Sequence, residues 1–88
     1  MSALMEFSII PLDKEKNMSP YVARVTALIK QSGLPHQLGP MSGCVEGEWE
    51  DLLALATRCF KDIAQDSRHI LVDMRISYRA EQKNRLKM

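Results

Sequence analysis

The strongest constraint on the fold is a run of alternating side chains near the end of the chain, residues 70–79 (ILVDMRISYR). The even-numbered residues of this run are large and apolar, and the odd-numbered ones, except Leu71, are charged or carry a hydroxyl. Successive side chains of a β-strand point to opposite faces, so the run predicts a strand with one buried and one polar face. On a chain this small, a polar sheet face is solvated, covered by another subunit, or used to bind a ligand.

Length and composition limit the classes of function. The 88 residues, of which 45% are hydrophobic and 26% charged, predict one globular domain with a modest core. A net charge of +1 gives no electrostatic case for binding nucleic acid or a membrane surface. No apolar run approaches the roughly 20 residues that span a bilayer, and the N-terminal segment lacks the parts of a signal peptide. We therefore expect a cytoplasmic protein.

The histidines and cysteines carry no recognisable chemistry. Cys44 and Cys59 agree with a reducing compartment, and neither has a histidine or a second cysteine at metal-ligand spacing. His36 and His69 each stand alone. The sequence therefore predicts no metal site, no catalytic residue and no cofactor.

The first half of the chain predicts a strand followed by a helix. Residues 4–10 alternate between apolar and mixed positions, and Pro11 ends the strand because proline lacks an N–H group. Residues 12–18 are polar and predict a loop. Ser19 is then expected to be the N-cap of a helix, and Gly33 is placed to end that helix in a left-handed conformation.

The second half predicts two short strands, a helix and the strand described first. The short strands are expected at residues 36–39 and 44–46, and the helix at residues 48–65. The apolar stripe of this helix predicts the following core residues: Trp49, Leu52, Leu53, Ala56, Phe60 and Ile63.

The resulting order, βαββαβ, is that of a ferredoxin-like α+β fold, a four-stranded antiparallel sheet with two helices on one face. We predict one domain over residues 1–79 and a short C-terminal tail over residues 80–88. By alternation, the uncovered face should carry Glu6, Ser8, Cys44, Glu46, Asp73, Arg75 and Ser77. Asp73 and Arg75 lie two apart on that face, which suggests cross-strand ion pairs with a partner subunit.

Four stretches resemble the motifs of a known family. They are residues 7–12 (FSIIPL), 19–22 (SPYV), 39–41 (GPM) with 46–49 (EGEW), and 75–79 (RISYR). Together they resemble the small thiamine-binding protein family, which is related to the YkoF-type binders of hydroxymethylpyrimidine and thiamine. The resemblance extends over about residues 4–79. Four positions depart from the usual family pattern: Asp13, Ser42, Gly43 and Ser77 stand where glycine, glycine, threonine and aspartate are common.

The resemblance implies a ferredoxin-like protomer assembled into homodimers or homotetramers. It also implies that the protein binds thiamine or its hydroxymethylpyrimidine moiety without catalysis. The predicted ligand-binding residues are Ser8, Tyr21, Gly39, Pro40, Met41, Gly43 and Glu46. The chemistry is compatible, because a carboxylate and hydroxyls satisfy the amino group and ring nitrogens of an aminopyrimidine. A carboxylate or an aromatic face also favours the thiazolium cation.

Other functions remain open. The open sheet face could be buried between subunits of a structural or regulatory oligomer that binds no small molecule. Acylphosphatase-type enzymes share the fold, but they need an arginine-bearing phosphate loop after the first strand, and residues 12–18 contain no arginine. RNA-binding modules with this fold need aromatic side chains on the open face. Here that face carries acids, hydroxyls and a thiol. Single residues also have ordinary structural alternatives, such as Tyr21 in the core and Glu46 at an interface.

Overall fold

The computed structural model describes residues 2–39 and 42–80 of the chain. Its elements are β1 (Ala3–Pro11), a 3-10 helix (Leu12–Asn17), α1 (Ser19–Gln31), β2 (His36–Leu38), β3 (Gly43–Gly47), α2 (Trp49–Ala64) and β4 (Ile70–Tyr78). All pairings are antiparallel and the strand order is β2-β3-β1-β4. The predicted ferredoxin-like α+β fold is confirmed. Most of the predicted tail, residues 81–88, lies outside the described residues.

The core lies between the two helices and one face of the sheet, here called the covered face. In β1 the odd-numbered side chains from Ala3 to Ile9 are buried, so the predicted alternation holds. Leu52 and Ile63 of α2 are fully buried, and each contributes about 1.5–3 kcal/mol by leaving water. The buried positions of α2 recur at spacings of three and four, which places them on one side of a helix; they are Leu52, Leu55, Ala56, Cys59 and Ile63.

The prediction that Trp49 and Phe60 belong to the core is wrong. Their side chains are 50% and 44% exposed, because α2 turns Leu55 and Cys59 toward the sheet instead. The predicted burial of one face of β4 is also wrong over most of its length. The even-numbered side chains do point to the covered face, but Val72 and Met74 are exposed. The physical reason is that α2 packs chiefly against β1 and β3.

The segment after β1 is ordered rather than a loop. It forms the 3-10 helix Leu12–Asn17, held by contacts to the α2–β4 connection. The Leu12 N–H donates to the His69 carbonyl at 2.7 Å. Asp13 accepts hydrogen bonds from the Ser67 hydroxyl and, at 2.9 Å, from the Arg68 N–H. These partners are more than 50 residues away, so local sequence could not indicate them.

The ends of the helices and short strands agree with the prediction to within one or two residues. Gly33 has φ +75°, which is the left-handed conformation expected after α1. Met18 rather than Ser19 is the N-cap of α1, and its side chain makes no capping bond. The strands β2 and β3 begin or end one residue from the predicted positions. In the described part of the chain, neither α1 nor α2 is long and apolar enough to cross a membrane.

Candidate functional site

The sheet register places the polar side chains of three strands on the sheet face opposite the two helices, here called the open face. Glu6 of β1 lies between Cys44 of β3 and Arg75 of β4. Ser8, two residues further along β1, pairs with Asp73. Directly opposite residues in an antiparallel pair project to the same face, so these groups are neighbours on the open face.

A cavity of about 200 Å³ opens on this surface and is here called the polar cleft. Its lining combines two carboxylates, a guanidinium and two hydroxyls: Glu6, Phe7, Ser8, Ser42, Asp73 and Arg75. Drug-sized ligands usually occupy roughly 300–1,000 Å³. The polar cleft is therefore sized for one heterocyclic ring with hydrogen-bonding groups rather than for a larger molecule.

The polar cleft forms where β3 stops and β1 continues. The β1–β3 ladder ends at the pair Phe7 and Gly43, whereas the β1–β4 ladder runs on to Pro11. Among the described residues, β1 thus has no strand partner on the β3 side from Ser8 onward. Its backbone N–H and C=O groups there require other partners, and a ligand can supply them.

A second, apolar cavity of about 30 Å³ adjoins the polar cleft on the covered side of the sheet. It shares Phe7, Ser8 and Ser42 with the polar cleft and is otherwise walled by α1 and by the ends of β2 and β3. A Cβ atom at Gly43 would lie 2.9 Å from Leu38 Cδ2, so a larger residue there would require the Leu38 side chain to move. At this size the apolar cavity holds about one water molecule rather than a ring.

The structure brings three of the predicted ligand-binding residues together. Ser8, Gly39 and Gly43 all line the apolar cavity, and Ser8 also lines the polar cleft. Pro40 and Met41 lie outside the described residues.

Glu46 lies apart from this group. It pairs with Leu4, four positions along β1 from Ser8, or about 13 Å at 3.3 Å per residue. Its side chain is 5% exposed and accepts a hydrogen bond from the Ser2 hydroxyl at 3.3 Å.

Tyr21 is part of a contact between the two helices. The Arg24 guanidinium lies 5.3 Å from the centre of the Tyr21 ring, within range of a cation–π interaction. Arg24 donates to the Asp62 carboxylate at 2.9 Å, to the Asp62 carbonyl at 2.7 Å and to the Asp66 carboxylate at 2.5 Å. The hydrogen bond to the Asp66 carboxylate is the main reason that the pKa of Arg24 is raised above its ordinary value; partial burial opposes this shift, and the Asp62 carboxylate adds to it.

Five residues of the polar cleft were not among the predicted site residues: Glu6, Phe7, Ser42, Asp73 and Arg75. Alternation did place Glu6, Asp73 and Arg75 on the open face. The sequence alone does not give the strand register, which places Asp73 beside Ser8. It also does not give the end of β3, which brings Ser42 to the polar cleft.

Comparison with known proteins gives the family. The profile of the thiamine-binding protein family matches residues 5–88. This chain belongs to that family. The resemblance seen in the four motifs is thereby confirmed. The family is described as one of binding proteins, and the match extends over almost the whole chain.

Individual relatives are more distant. A UPF0045 protein of Mycobacterium bovis is 26% identical over 80 residues, which are 90% of this chain and 78% of that protein. A UPF0045 protein of Synechocystis is 23% identical over 82 residues, which are 92% of this chain and 68% of that protein.

Solved structures share the fold. A Methanocaldococcus jannascii protein of unassigned function superposes with a TM-score of 0.86 at 24% identity, with 94% of this chain and 86% of that one covered. A Thermotoga maritima protein assigned provisionally to thiamine biosynthesis or salvage superposes with a TM-score of 0.82 at 19% identity, with 91% and 86% covered. At these identities the likeness concerns the fold alone.

Proposed function

We propose that this protein is a cytoplasmic homo-oligomer that binds thiamine or its hydroxymethylpyrimidine moiety without catalysis. We further propose that the aminopyrimidine ring occupies the polar cleft. Membership of the thiamine-binding family supports the ligand class. The observation that carries the location is the lining of the polar cleft, which combines acceptors and donors around a volume of one ring.

The donor and acceptor pattern of an aminopyrimidine matches this lining. The exocyclic amino group donates two hydrogen bonds, and the carboxylates of Glu6 and Asp73 only accept when ionised. The ring nitrogens accept, and the Arg75 guanidinium and the Ser8 hydroxyl can donate. Hydrogen bonds to a charged group contribute more than neutral ones, about 1.5–3 kcal/mol, so the two carboxylates and Arg75 should contribute more to the affinity than the hydroxyls.

The charge of the polar cleft favours whole thiamine over the pyrimidine alone. Two carboxylates and one guanidinium leave a net charge of −1. The thiazolium ring would lie outside the 200 Å³ cavity but close to these carboxylates, where opposite charges attract by about 1 kcal/mol at 4 Å in water. We therefore expect thiamine to bind roughly fivefold tighter than hydroxymethylpyrimidine, with a difference that shrinks as salt is added.

Isothermal titration calorimetry tests the proposal with thiamine, hydroxymethylpyrimidine and hydroxyethylthiazole as separate ligands. We expect micromolar or tighter binding of the first two, near one site per chain, and none of the third. Glu6→Gln keeps the size of the side chain and removes its charge, and should weaken binding about tenfold or more. Asp51→Asn is the matched control, because Asp51 is exposed on α2 and does not line the polar cleft.

The same titration decides the competing possibilities. If folded protein gives no heat with thiamine or hydroxymethylpyrimidine, the binding function is wrong and the structural oligomer without a ligand takes its place. If binding is intact in Glu6→Gln, the ring does not lie in the polar cleft. Glu46→Gln and Tyr21→Leu then test the predicted residues that lie elsewhere. Unchanged affinity would remove either one from the site, because the first variant loses the carboxylate and the second the aromatic face.

A further inference from the structure

The apolar cavity meets the polar cleft at the place where β1 and β3 cease to pair. The last pair of their ladder is Phe7 and Gly43, so Ser8 and Ser42 are the next residues beyond it on the two segments. Both residues line the polar cleft, and both line the apolar cavity. A ring that contacts Ser8 in the polar cleft therefore lies beside the apolar cavity as well, and one of its substituents can enter that cavity.

The lining of the apolar cavity favours a hydrocarbon group over a water molecule. Its described lining includes six apolar side chains, from β1, α1 and β2: Phe7, Ile9, Val22, Val25, Ile29 and Leu38. Three residues that carry a hydroxyl also line it, but Ser8 lies on the open face and its side chain points away from this cavity. A buried water makes about three hydrogen bonds, which a lining of this kind provides poorly. A methyl group needs no such partner and gains free energy by leaving water.

We infer that the apolar cavity is a methyl subsite of the polar cleft, which selects a heteroaromatic ring that carries one methyl group beside a ring nitrogen. The inference rests on the proposed binding of an aminopyrimidine in the polar cleft. It goes further, because it names the substituent by which the site distinguishes one aminopyrimidine from another. The hydroxymethylpyrimidine moiety of thiamine has such a methyl group, on the carbon between its two ring nitrogens.

The strand register fits the order of the substituents on this ring. In hydroxymethylpyrimidine, one ring nitrogen lies between the carbon that bears the amino group and the carbon that bears the methyl group. When that nitrogen accepts a hydrogen bond from Ser8, the two substituents diverge to either side of Ser8. Asp73 pairs with Ser8 on the β4 side and can accept from the amino group, whereas the apolar cavity lies on the β3 side and receives the methyl group. The hydroxymethyl group, through which thiamine carries its thiazolium, is directly across the ring from the methyl group and therefore points away from the apolar cavity.

The volume of the apolar cavity limits the substituent to one carbon. At about 30 Å³ the cavity holds one methyl group, whereas an ethyl group requires the lining side chains to move. Burial of one methyl group in an apolar site strengthens binding by about four- to tenfold. Overfilling a packed site is unfavourable, so an ethyl substituent should weaken binding by at least about fivefold relative to methyl. The site should therefore prefer a methyl group to both a hydrogen atom and an ethyl group.

Isothermal titration calorimetry with three ligands tests this preference. They are hydroxymethylpyrimidine, the same compound without its methyl group, and the same compound with an ethyl group in that place. Hydroxymethylpyrimidine should bind about four- to tenfold tighter than the compound without the methyl group, and at least about fivefold tighter than the ethyl compound. Equal or tighter binding of the compound without the methyl group would overturn the inference, because the apolar cavity then holds a water molecule that the ligand is better off keeping. If folded protein binds none of the three, the proposed function fails and the methyl subsite fails with it.

Two variants change the apolar cavity from the side of the protein. Gly43→Ala adds a Cβ atom 2.9 Å from Leu38 Cδ2 and 3.9 Å from Ile29 Cδ1, which fills part of the cavity, so the preference for methyl over hydrogen should fall to within about twofold. Ile29→Val removes that Cδ1 atom and enlarges the cavity, so the preference for methyl over ethyl should fall by at least about threefold.

Ile63→Val is the matched control for these variants. It also shortens a buried isoleucine, but Ile63 lines neither the apolar cavity nor the polar cleft, so both ligand ratios should stay as in the wild type. Because each ratio is measured within one variant, a general loss of affinity cancels. Should Gly43→Ala not fold, Ile29→Val still decides the matter. Wild-type ratios in a variant that circular dichroism finds folded would refute the methyl subsite.

Discussion

Arg24 offers the sharpest test of how the two helices are held together. Its guanidinium joins α1 to the C-terminal turn of α2 through the Asp62 carboxylate, the Asp62 carbonyl and the Asp66 carboxylate. It also covers the ring of Tyr21. A cation beside the last carbonyls of a helix is favourable, because the N–H groups that would satisfy them inside the helix are missing there. Arg24→Met keeps the length of the aliphatic part and removes all of these contacts.

The size of the effect follows from exposure. The side chains of Arg24 and Asp62 are 31% and 32% exposed, so this ion pair is partly screened and contributes about 0.5–1 kcal/mol. The pair with Asp66, which is 49% exposed, contributes less than about 0.5 kcal/mol. The bond to the Asp62 carbonyl contributes about 1 kcal/mol. We expect Arg24→Met to lower the free energy of unfolding by about 1.5–2.5 kcal/mol.

Urea denaturation followed by circular dichroism measures this change, at one fixed protomer concentration because an oligomer unfolds in a concentration-dependent way. Arg24→Lys keeps the charge but loses the forked geometry, so it should recover less than half of the loss. Lys30→Met, an exposed cation on the same helix, is the control and should cost under about 0.5 kcal/mol. Full recovery by Arg24→Lys, or a larger loss in Asp66→Asn than in Asp62→Asn, would refute the geometric argument.

Two further predictions concern single titratable groups. Burial raises the pKa of the Cys59 thiol to about 11, whereas Cys44 is partly exposed. Ellman's reagent at pH 8 should therefore label one thiol per folded chain and two after denaturation; rapid labelling of both in folded protein would contradict the burial. Hydrogen bonds from Ser67 and the Arg68 N–H lower the pKa of Asp13, so its stabilising effect should be present above about pH 4 and disappear at lower pH. Asp13→Asn should accordingly be less stable than the wild type at pH 7 and should approach it in thermal melts toward pH 2; a gap that stays constant with pH would contradict this.

The parts of the fold that the sequence predicted are those set by local chemistry. Alternation places the side chains of β1 correctly, Pro11 is its last residue, and Gly33 ends α1 with a positive φ. The exposure of Phe60 and Val72 was not predictable in the same way. Both belong to apolar patterns that are typical of a core. They are exposed because α2 packs over β1 and β3, which the sequence pattern does not indicate.

The candidate site, too, could be predicted only as far as it depends on local sequence. Alternation gives the face on which Glu6 and Asp73 lie, because it depends on each strand alone. The polar cleft depends in addition on which residues are paired and on where β3 ends, and both are set by contacts between distant segments. The family motifs indicate the β2–β3 connection beside Ser8, but they do not indicate that Glu6 and Asp73 line the polar cleft.

The central position of β1 has a consequence for synthesis of the protein. β1 is the first of the described strands to be made and its neighbour β4 is the last of them, so Ala3 pairs with Tyr78, a residue near the far end of the described chain. At about 5–20 residues per second on a ribosome, the interval between the two strands is on the order of 3–13 s. For that time one edge of a strand carrying Met5, Phe7 and Ile9 is open. The newly made chain thus carries an unpaired β1 edge until β4 has been made.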